Sequence, residues 1–186
     1  MTSHTLSGGD VWLCAASNGV DVVLEYDAPL DLEHRMVIFE MAQAWDNIIR
    51  ISHRRRLGET PEPIIEKAKP FVQMEKYSVY IPGATFLQPS FAGEQALAGL
   101  VLKYLGNVSG YVAGFFCGVG TFSYYIASVA KVKILASDSS EELLSGFQES
   151  VNRNQITNIE IKPRNLFKYP LDESELSSVD AVVIDP

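Results

Sequence analysis

Gly114-Phe115-Phe116-Cys117-Gly118-Val119-Gly120-Thr121-Phe122 is the stretch on which the fold of this chain turns. It closes an apolar run of strand length, residues 110–116, and opens a helical pattern over 121–130. Gly118 and Gly120 between them leave bare backbone that a ligand can approach. The first turn of the following helix offers unpaired N–H groups to that ligand. A second apolar run, 132–137, ends at Asp138, eighteen residues past Gly120. A carboxylate at the end of that strand can accept hydrogen bonds from both hydroxyls of a ribose, because two acceptor oxygens match a vicinal diol.

Three readings share this layout. A dinucleotide site wants a third glycine at position 123, where serine stands, so a nicotinamide cofactor is disfavoured. An S-adenosylmethionine loop has no pyrophosphate to cradle and needs no such glycine. A tight turn required only by packing is the third. The loop alone leaves these readings open, and the surroundings speak to the fold. After 132–137 come a helical segment over 140–154, a strand over 159–163 and a strand over 181–184. Strand-length apolar runs alternating with helices predict a parallel, doubly wound α/β sheet. An amphipathic stripe of Leu97, Leu100, Val101, Tyr104 and Leu105 precedes it.

Upstream the grammar differs. Residues 11–16 and 21–26 are β-rich runs around Ser17-Asn18-Gly19, a hairpin signal. Asp31 caps a predicted helix reaching 47, with Leu32, Met36 and Phe39 on one stripe and Val37, Met41 and Trp45 beside it. A strand over 48–52 ends in His53-Arg54-Arg55-Arg56, followed by a Pro/Glu-rich loop over 58–63 and a β-like stretch over 71–81. The expected division is a flexible tail at 1–10, a small α+β domain at 11–82, and an α/β, Rossmann-like domain at 83–186.

Composition bounds the function. With 186 residues, 47% hydrophobic, the chain suits a packed globular protein. Its net charge of −8 gives no global basic footprint, so any nucleic acid must be held by a local patch. Cys14 and Cys117 stand far apart with no CxxC or Cys/His cluster, which fits a reducing compartment and offers no metal site. The N-terminus lacks a signal pattern. Residues 104–130 carry no charge, yet Gly106, Gly110, Gly114, Gly118 and Gly120 fall within them, as a strand, loop and helix require and a membrane span does not. A soluble cytoplasmic protein without a membrane partner is expected. Arg54, Arg55 and Arg56 are candidate contacts to RNA phosphates, with a solvated strand end as the bland alternative.

Phe115 to Phe122 resembles the D-L-F-C-G-x-G-x-F loop of the bacterial S-adenosylmethionine-dependent RNA (uracil-5-)-methyltransferase family. Phe86-Leu87-Gln88 resembles that family's F-x-Q, Arg164-Asn165-Leu166-Phe167 stands where its third acidic motif belongs, and Asp185-Pro186 begins its D-P-P-R. The resemblance spans 86–186 and is loose over 11–82. It implies a class I methyltransferase fold with S-adenosyl-L-methionine as cofactor. It further implies that Gln88, Phe116, Gly118 and Gly120 line the cofactor site, that Asp138 holds the ribose where the family usually has glutamate, that Asn165 meets the adenine edge, and that Asp185 sits at the cofactor–uracil junction. Gly114 replaces the family's motif aspartate, and Ser90 a common asparagine.

The implied substrate is RNA, ribosomal in preference to transfer RNA. The family adds a cysteine thiolate to uracil carbon 6 and later removes the carbon 5 proton with a base. Neither catalytic residue is expected within the chain, and Cys117 is expected as a small buried residue of the loop. The chain is accordingly expected to be a truncated fragment, inactive alone and prone to self-association along 181–184. A methyltransferase of another class, acting on a small molecule or protein, and a non-catalytic binding module are the alternatives.

Overall fold

A computed structural model describes residues 8–129 and 131–186. Most of the expected tail at 1–10, with His4, lies outside them, as does Ala130. The chain divides into two compact units, residues 8–72 with Ile81–Thr85, and Gln73–Tyr80 with Phe86–Pro186. Residues 73–80, expected within the first domain, thus go with the second.

The first unit is built on β1 (Asp10–Ala16), β2 (Gly19–Glu25), α1 (Leu32–Ala44), β3 (Ile48–Arg54) and β4 (Glu62–Glu66), with the sheet in order β1-β2-β3-β4. The β1–β2 and β3–β4 pairs are antiparallel and β2–β3 is parallel. The two turn residues of the first hairpin are Ser17 and Asn18. Asn18 contributes through its side chain, donating to Lys69 O at 2.9 Å and accepting from Phe71 N at 3.2 Å. Asp31 caps α1 as expected, accepting from His34 N. The face of α1 that enters the core is Ile38 and Ala42, packed with Val22, Leu30, Ile48 and Ile51. Both predicted stripes remain exposed instead. Strand β4 lies partly in the stretch expected as loop.

Two buried charges cross this sheet. Arg50 on β3 makes a bidentate contact to Asp21 on β2, at 2.8 and 2.7 Å, and donates to Ile81 O at 3.1 Å. Glu66 lies 3.6 Å away.

The strand β5 (Phe71–Met74) straddles the division, and the second unit continues with β6 (Tyr77–Tyr80), α2 (Phe91–Leu105), β7 (Gly110–Phe115), α3 (Thr121–Val129), β8 (Val132–Asp138), α4 (Glu141–Arg153), β9 (Ile159–Pro163), α5 (Glu173–Leu176) and β10 (Ala181–Ile184). Strands β7 to β10 form one parallel sheet in order β10-β7-β8-β9, as the alternation predicts. Val112, Ile126, Val132 and Ile134 make the core, with Val101, Leu102 and Leu105 of α2 against it. Leu97, Leu100 and Tyr104 of the predicted stripe face outward, while Glu94 and Ala98 are buried. Asn154 and Ser150, at the end of α4, hold β6 through Ser78 and Tyr80. Among the described residues no helix is long and apolar enough to cross a membrane.

Candidate nucleoside site

Parallel strands put all their carboxyl ends on one edge of a sheet. From β7 the chain steps outward to β8 and β9, then returns to the other side of β7 as β10. The strand order therefore reverses between β7 and β10, and crevices at such switch points are where open α/β sheets take ligands. Residues 116–120 leave β7 on this edge, Asp138 ends β8, Asn165 follows β9 and Asp185 follows β10. Asp185 N donates to Phe115 O at 3.3 Å. Six of the seven predicted cofactor residues thus share one edge. The seventh, Gln88, is half-buried and two residues ahead of Ser90, the cap of α2.

Asp138 organises the loop. Its Oδ2 accepts from Gly118 N and its Oδ1 from Ser140 N, each at 2.9 Å. A carboxylate oxygen has two lone pairs, so each retains one acceptor position for a hydroxyl.

The two loop glycines do different work. Gly118, at φ +54, would place a Cβ in open space, so its bare backbone borders the crevice. Gly120, at φ +91, would drive a Cβ to within 2.3 Å of the Phe147 ring of α4. The room left by its missing side chain is therefore filled by protein and is not ligand space.

Phe116 adopts φ +57, a left-handed conformation that costs a side-chain-bearing residue about 1–2 kcal/mol. Its ring lies against Phe167, centroids 5.1 Å apart and tilted by 45°. Asn165 Oδ1 accepts from Lys168 N at 3.0 Å, and Asn165 O accepts from Tyr169 N at 2.8 Å, closing a tight turn around Phe167.

Cys117 behaves as expected of a small loop residue. Its backbone N donates to Ser137 O at 3.2 Å, and burial, reinforced by the Asp138 charge, pushes the thiol up to about 12. The thiolate is the nucleophile, so burial disfavours reaction at this half-buried cysteine. At pH 8, iodoacetamide is expected to alkylate Cys117 on the order of a thousandfold more slowly in the folded protein than in urea, given three pKa units of suppression. Peptide mass mapping checks this; equal rates would mean that the loop opens readily.

One feature of this unit carries no local sequence signal. Glu94 is buried on α2 and accepts from the Tyr125 hydroxyl of α3 at 2.8 Å, joining the helix after Gln88 to the helix after the loop. Burial pushes its carboxyl up, against the pull of the Tyr125 bond.

In the first unit, Arg54 is buried inside β3, 2.9 Å from Glu25 and stacked over Trp12 at 5.2 Å, which leaves it no reach for phosphate. Arg55 and Arg56 are exposed and share Asp27, at 3.5 and 3.4 Å. Among the described residues no cluster of His, Cys, Asp and Glu is placed to hold a metal ion.

A parallel sheet with a glycine loop after its first strand and a carboxylate after its second gives the second unit a Rossmann-like α/β fold. Comparison with known proteins narrows this. No family model matches the chain. It is 38% identical over 132 residues to an uncharacterised RNA methyltransferase of Brucella melitensis, covering 70% of this chain and 31% of that protein. It is 23% identical over 186 residues to the 23S rRNA (uracil(1939)-C(5))-methyltransferase RlmD of Aliivibrio salmonicida, covering 96% of this chain and 40% of that one. By sequence the chain is similar to bacterial proteins named RNA methyltransferases, of whose length it spans about a third to two fifths. Its fold is shared with the tRNA (uracil-54, C5)-methyltransferase of Pyrococcus abyssi, solved in complex with S-adenosyl-L-homocysteine. The TM-score is 0.64 at 17% identity, over 90% of this chain and 39% of that one.

Proposed function

We propose that the chain is the central and cofactor-binding portion of a cytoplasmic RNA methyltransferase that uses S-adenosyl-L-methionine to methylate carbon 5 of a uracil, with ribosomal RNA as substrate. The observation that carries this is the Asp138 carboxylate fixed beneath Gly118 at the switch point, a diol acceptor beside bare backbone. RNA as the substrate class rests on the named relatives, and carbon 5 of uracil on RlmD and the P. abyssi enzyme.

When bound, S-adenosylmethionine supplies an electrophilic methyl group. Asp138 would accept the ribose hydroxyls, Gly118 would expose backbone to the nucleoside, Asn165 would offer its amide to the base edge, Gln88 would line the cofactor site, and Asp185 would sit at the cofactor–uracil junction. None of them activates uracil, and the Cys117 thiol does not add to carbon 6. Of the three arginines, Arg55 and Arg56 are assigned to RNA phosphate, while Arg54 holds the strand.

Calorimetry with S-adenosylhomocysteine tests the site. Asp138→Ala removes a charge-assisted acceptor, an expected loss of about 1.5–3 kcal/mol, or roughly ten- to a hundredfold in affinity. Unchanged binding would remove Asp138 from the site, and tight NADH binding would overturn the class. Incorporation of labelled methyl into carbon 5 of uracil in ribosomal RNA by the whole protein tests the reaction; label on another base, or on a protein, would overturn it.

Gly114 favours a second reading, a binding module without catalysis. A Cβ there would meet only Ser123 Oγ at 3.6 Å and Leu135 O at 3.9 Å, so sterics do not demand the loss of the family's aspartate. Cofactor binding by the whole protein without methyl transfer would select this reading.

A further inference from the structure

We propose that the groove between α1 and strands β1 and β2 docks one helix of a partner polypeptide, apolar along one stripe and basic along its flanks. It involves the first unit alone and is independent of the nucleoside site.

A four-stranded sheet is wider than one helix. Strands lie about 4.8 Å apart and a helix with its side chains is about 10–12 Å across, so a single helix covers about half of such a face. Helix α1 takes the half over β3 and β4, with Ile38 and Ala42 turned inward. The same face of β1 and β2 is left beside it as a groove of about 820 Å³. Val11, Leu13 and Val22 line its floor, and Val37, Met41 and Trp45 of α1 form its wall. Leu13 is 70% exposed and Trp45 52%. Contiguous exposed apolar strips of this kind mark interaction sites, and a helix that is apolar nearly all round is one that a complete assembly buries.

Dimensions and charge select the occupant. The open strip is two strands wide, about 10 Å, and seven residues long, about 23 Å at the usual rise. That is the footprint of one helix of about 15 residues, and laying an apolar helix stripe into such a groove is a recurrent mode of recognition. The outer rim is acidic. Glu33 and Glu40 stand one helical turn either side of Val37, Asp46 follows Trp45, and all three are exposed. The neighbouring cations are turned to the backbone, Arg35 donating to Leu30 O at 3.3 Å and Lys67 to the carbonyl oxygens of Ala42 and Trp45. A helix with Lys or Arg beside its apolar stripe therefore meets opposite charge along the rim. Among the described residues, each helix of this chain carries at most one Lys or Arg, so a second copy does not supply those flanks.

The test uses the full chain carrying Trp12→Phe, which leaves Trp45 in the groove wall as the reporter. Three synthetic peptides of about 15 residues serve as probes: leucine and lysine with leucines spaced for one helical stripe, the same with glutamate for lysine, and a scrambled leucine–lysine sequence. The striped lysine peptide is expected to shift Trp45 emission to the blue and to bind at least about tenfold more tightly than the other two. Its advantage over the glutamate peptide should narrow as salt is raised. Leu13→Glu should weaken that peptide about tenfold or more with an unchanged melting temperature, since the side chain is exposed. Glu40→Lys should bring the lysine and glutamate peptides closer in affinity. Equal binding of the three peptides, binding of none, or full binding by Leu13→Glu would overturn the proposal. So would a dimer at micromolar protein by light scattering that Leu13→Glu abolishes, because the occupant would then be a second copy of this chain.

Discussion

Replacing Arg50 with alanine is expected to destabilise the first unit by about 3–5 kcal/mol, the range for leaving one partner of a buried ion pair uncompensated. Asp21 is 2% exposed, and the guanidinium meets both of its oxygens while donating to Ile81 O. Burial disfavours the Arg50 charge, but the Asp21 carboxylate more than reverses this and holds its pKa above the ordinary value. Without Arg50, Asp21 keeps a negative charge in the middle of a sheet, opposite the position just vacated. A domain has only about 5–15 kcal/mol to lose. Both tryptophans, Trp12 and Trp45, lie in this unit, so urea unfolding followed by their fluorescence reports it selectively. The double variant Asp21→Val with Arg50→Met should recover most of the loss, since an apolar pair of matching volume does as well as many buried ion pairs. A loss below 1 kcal/mol for Arg50→Ala would mean that water reaches Asp21 through β1.

Gly120→Ala is expected to cost the second unit about 2–4 kcal/mol, combining overpacking of about 1–3 kcal/mol with a left-handed backbone cost of about 1 kcal/mol. The new Cβ would meet three Phe147 ring carbons at 2.3–2.6 Å. Phe147 has nowhere to retreat, being wholly buried with Tyr124 packed 5.2 Å away. Gly118→Ala is the control. Its φ of +54 carries the same backbone cost, but its Cβ meets nothing within 4 Å. That variant should therefore lose only about 1 kcal/mol of stability, while its methyl group intrudes on the crevice and weakens ligand binding. Hydrogen exchange of the α3 and α4 amides reads the first effect and calorimetry the second. Equal destabilisation by the two alanines would refute the division of labour between the glycines.

Most of the parallel sheet is legible in the sequence because each buried strand is a continuous apolar run bounded by turn residues. The exceptions have physical reasons. Strand β4 contains Pro63 between Glu62 and Glu66, which reads as loop; it survives because it is an edge strand, where proline forfeits no ladder bond. Helix α1 is apolar nearly all round, so its periodicity cannot choose a face, and the sheet takes Ile38 and Ala42, where the small residue permits close approach. Likewise α2 turns Ala98 inward and leaves Leu97 and Leu100 outside. Arg54 looks like the start of a basic run, but its strand register sets it opposite Glu25, a partner invisible to local inspection. The β6 segment moves to the second unit because Ser150 and Asn154 hold it from 70 and 76 residues away. At the site, six of the seven predicted residues lie on one edge of the sheet, and packing claims the space at Gly120.

The pair of bonds from Asp138 to Gly118 N and Ser140 N has a thermodynamic consequence. A binding loop that orders only around its ligand gives up about 1–2 kcal/mol of chain entropy for every residue it freezes. Residues 116–120 have already given that up, because a side chain of the neighbouring strand clamps them when the sheet forms. Folding bears the loss, so the nucleoside meets a preorganised cradle. Association should then run as a single-step encounter whose observed rate climbs linearly with ligand concentration, with none of the plateau that a slow closing step would impose.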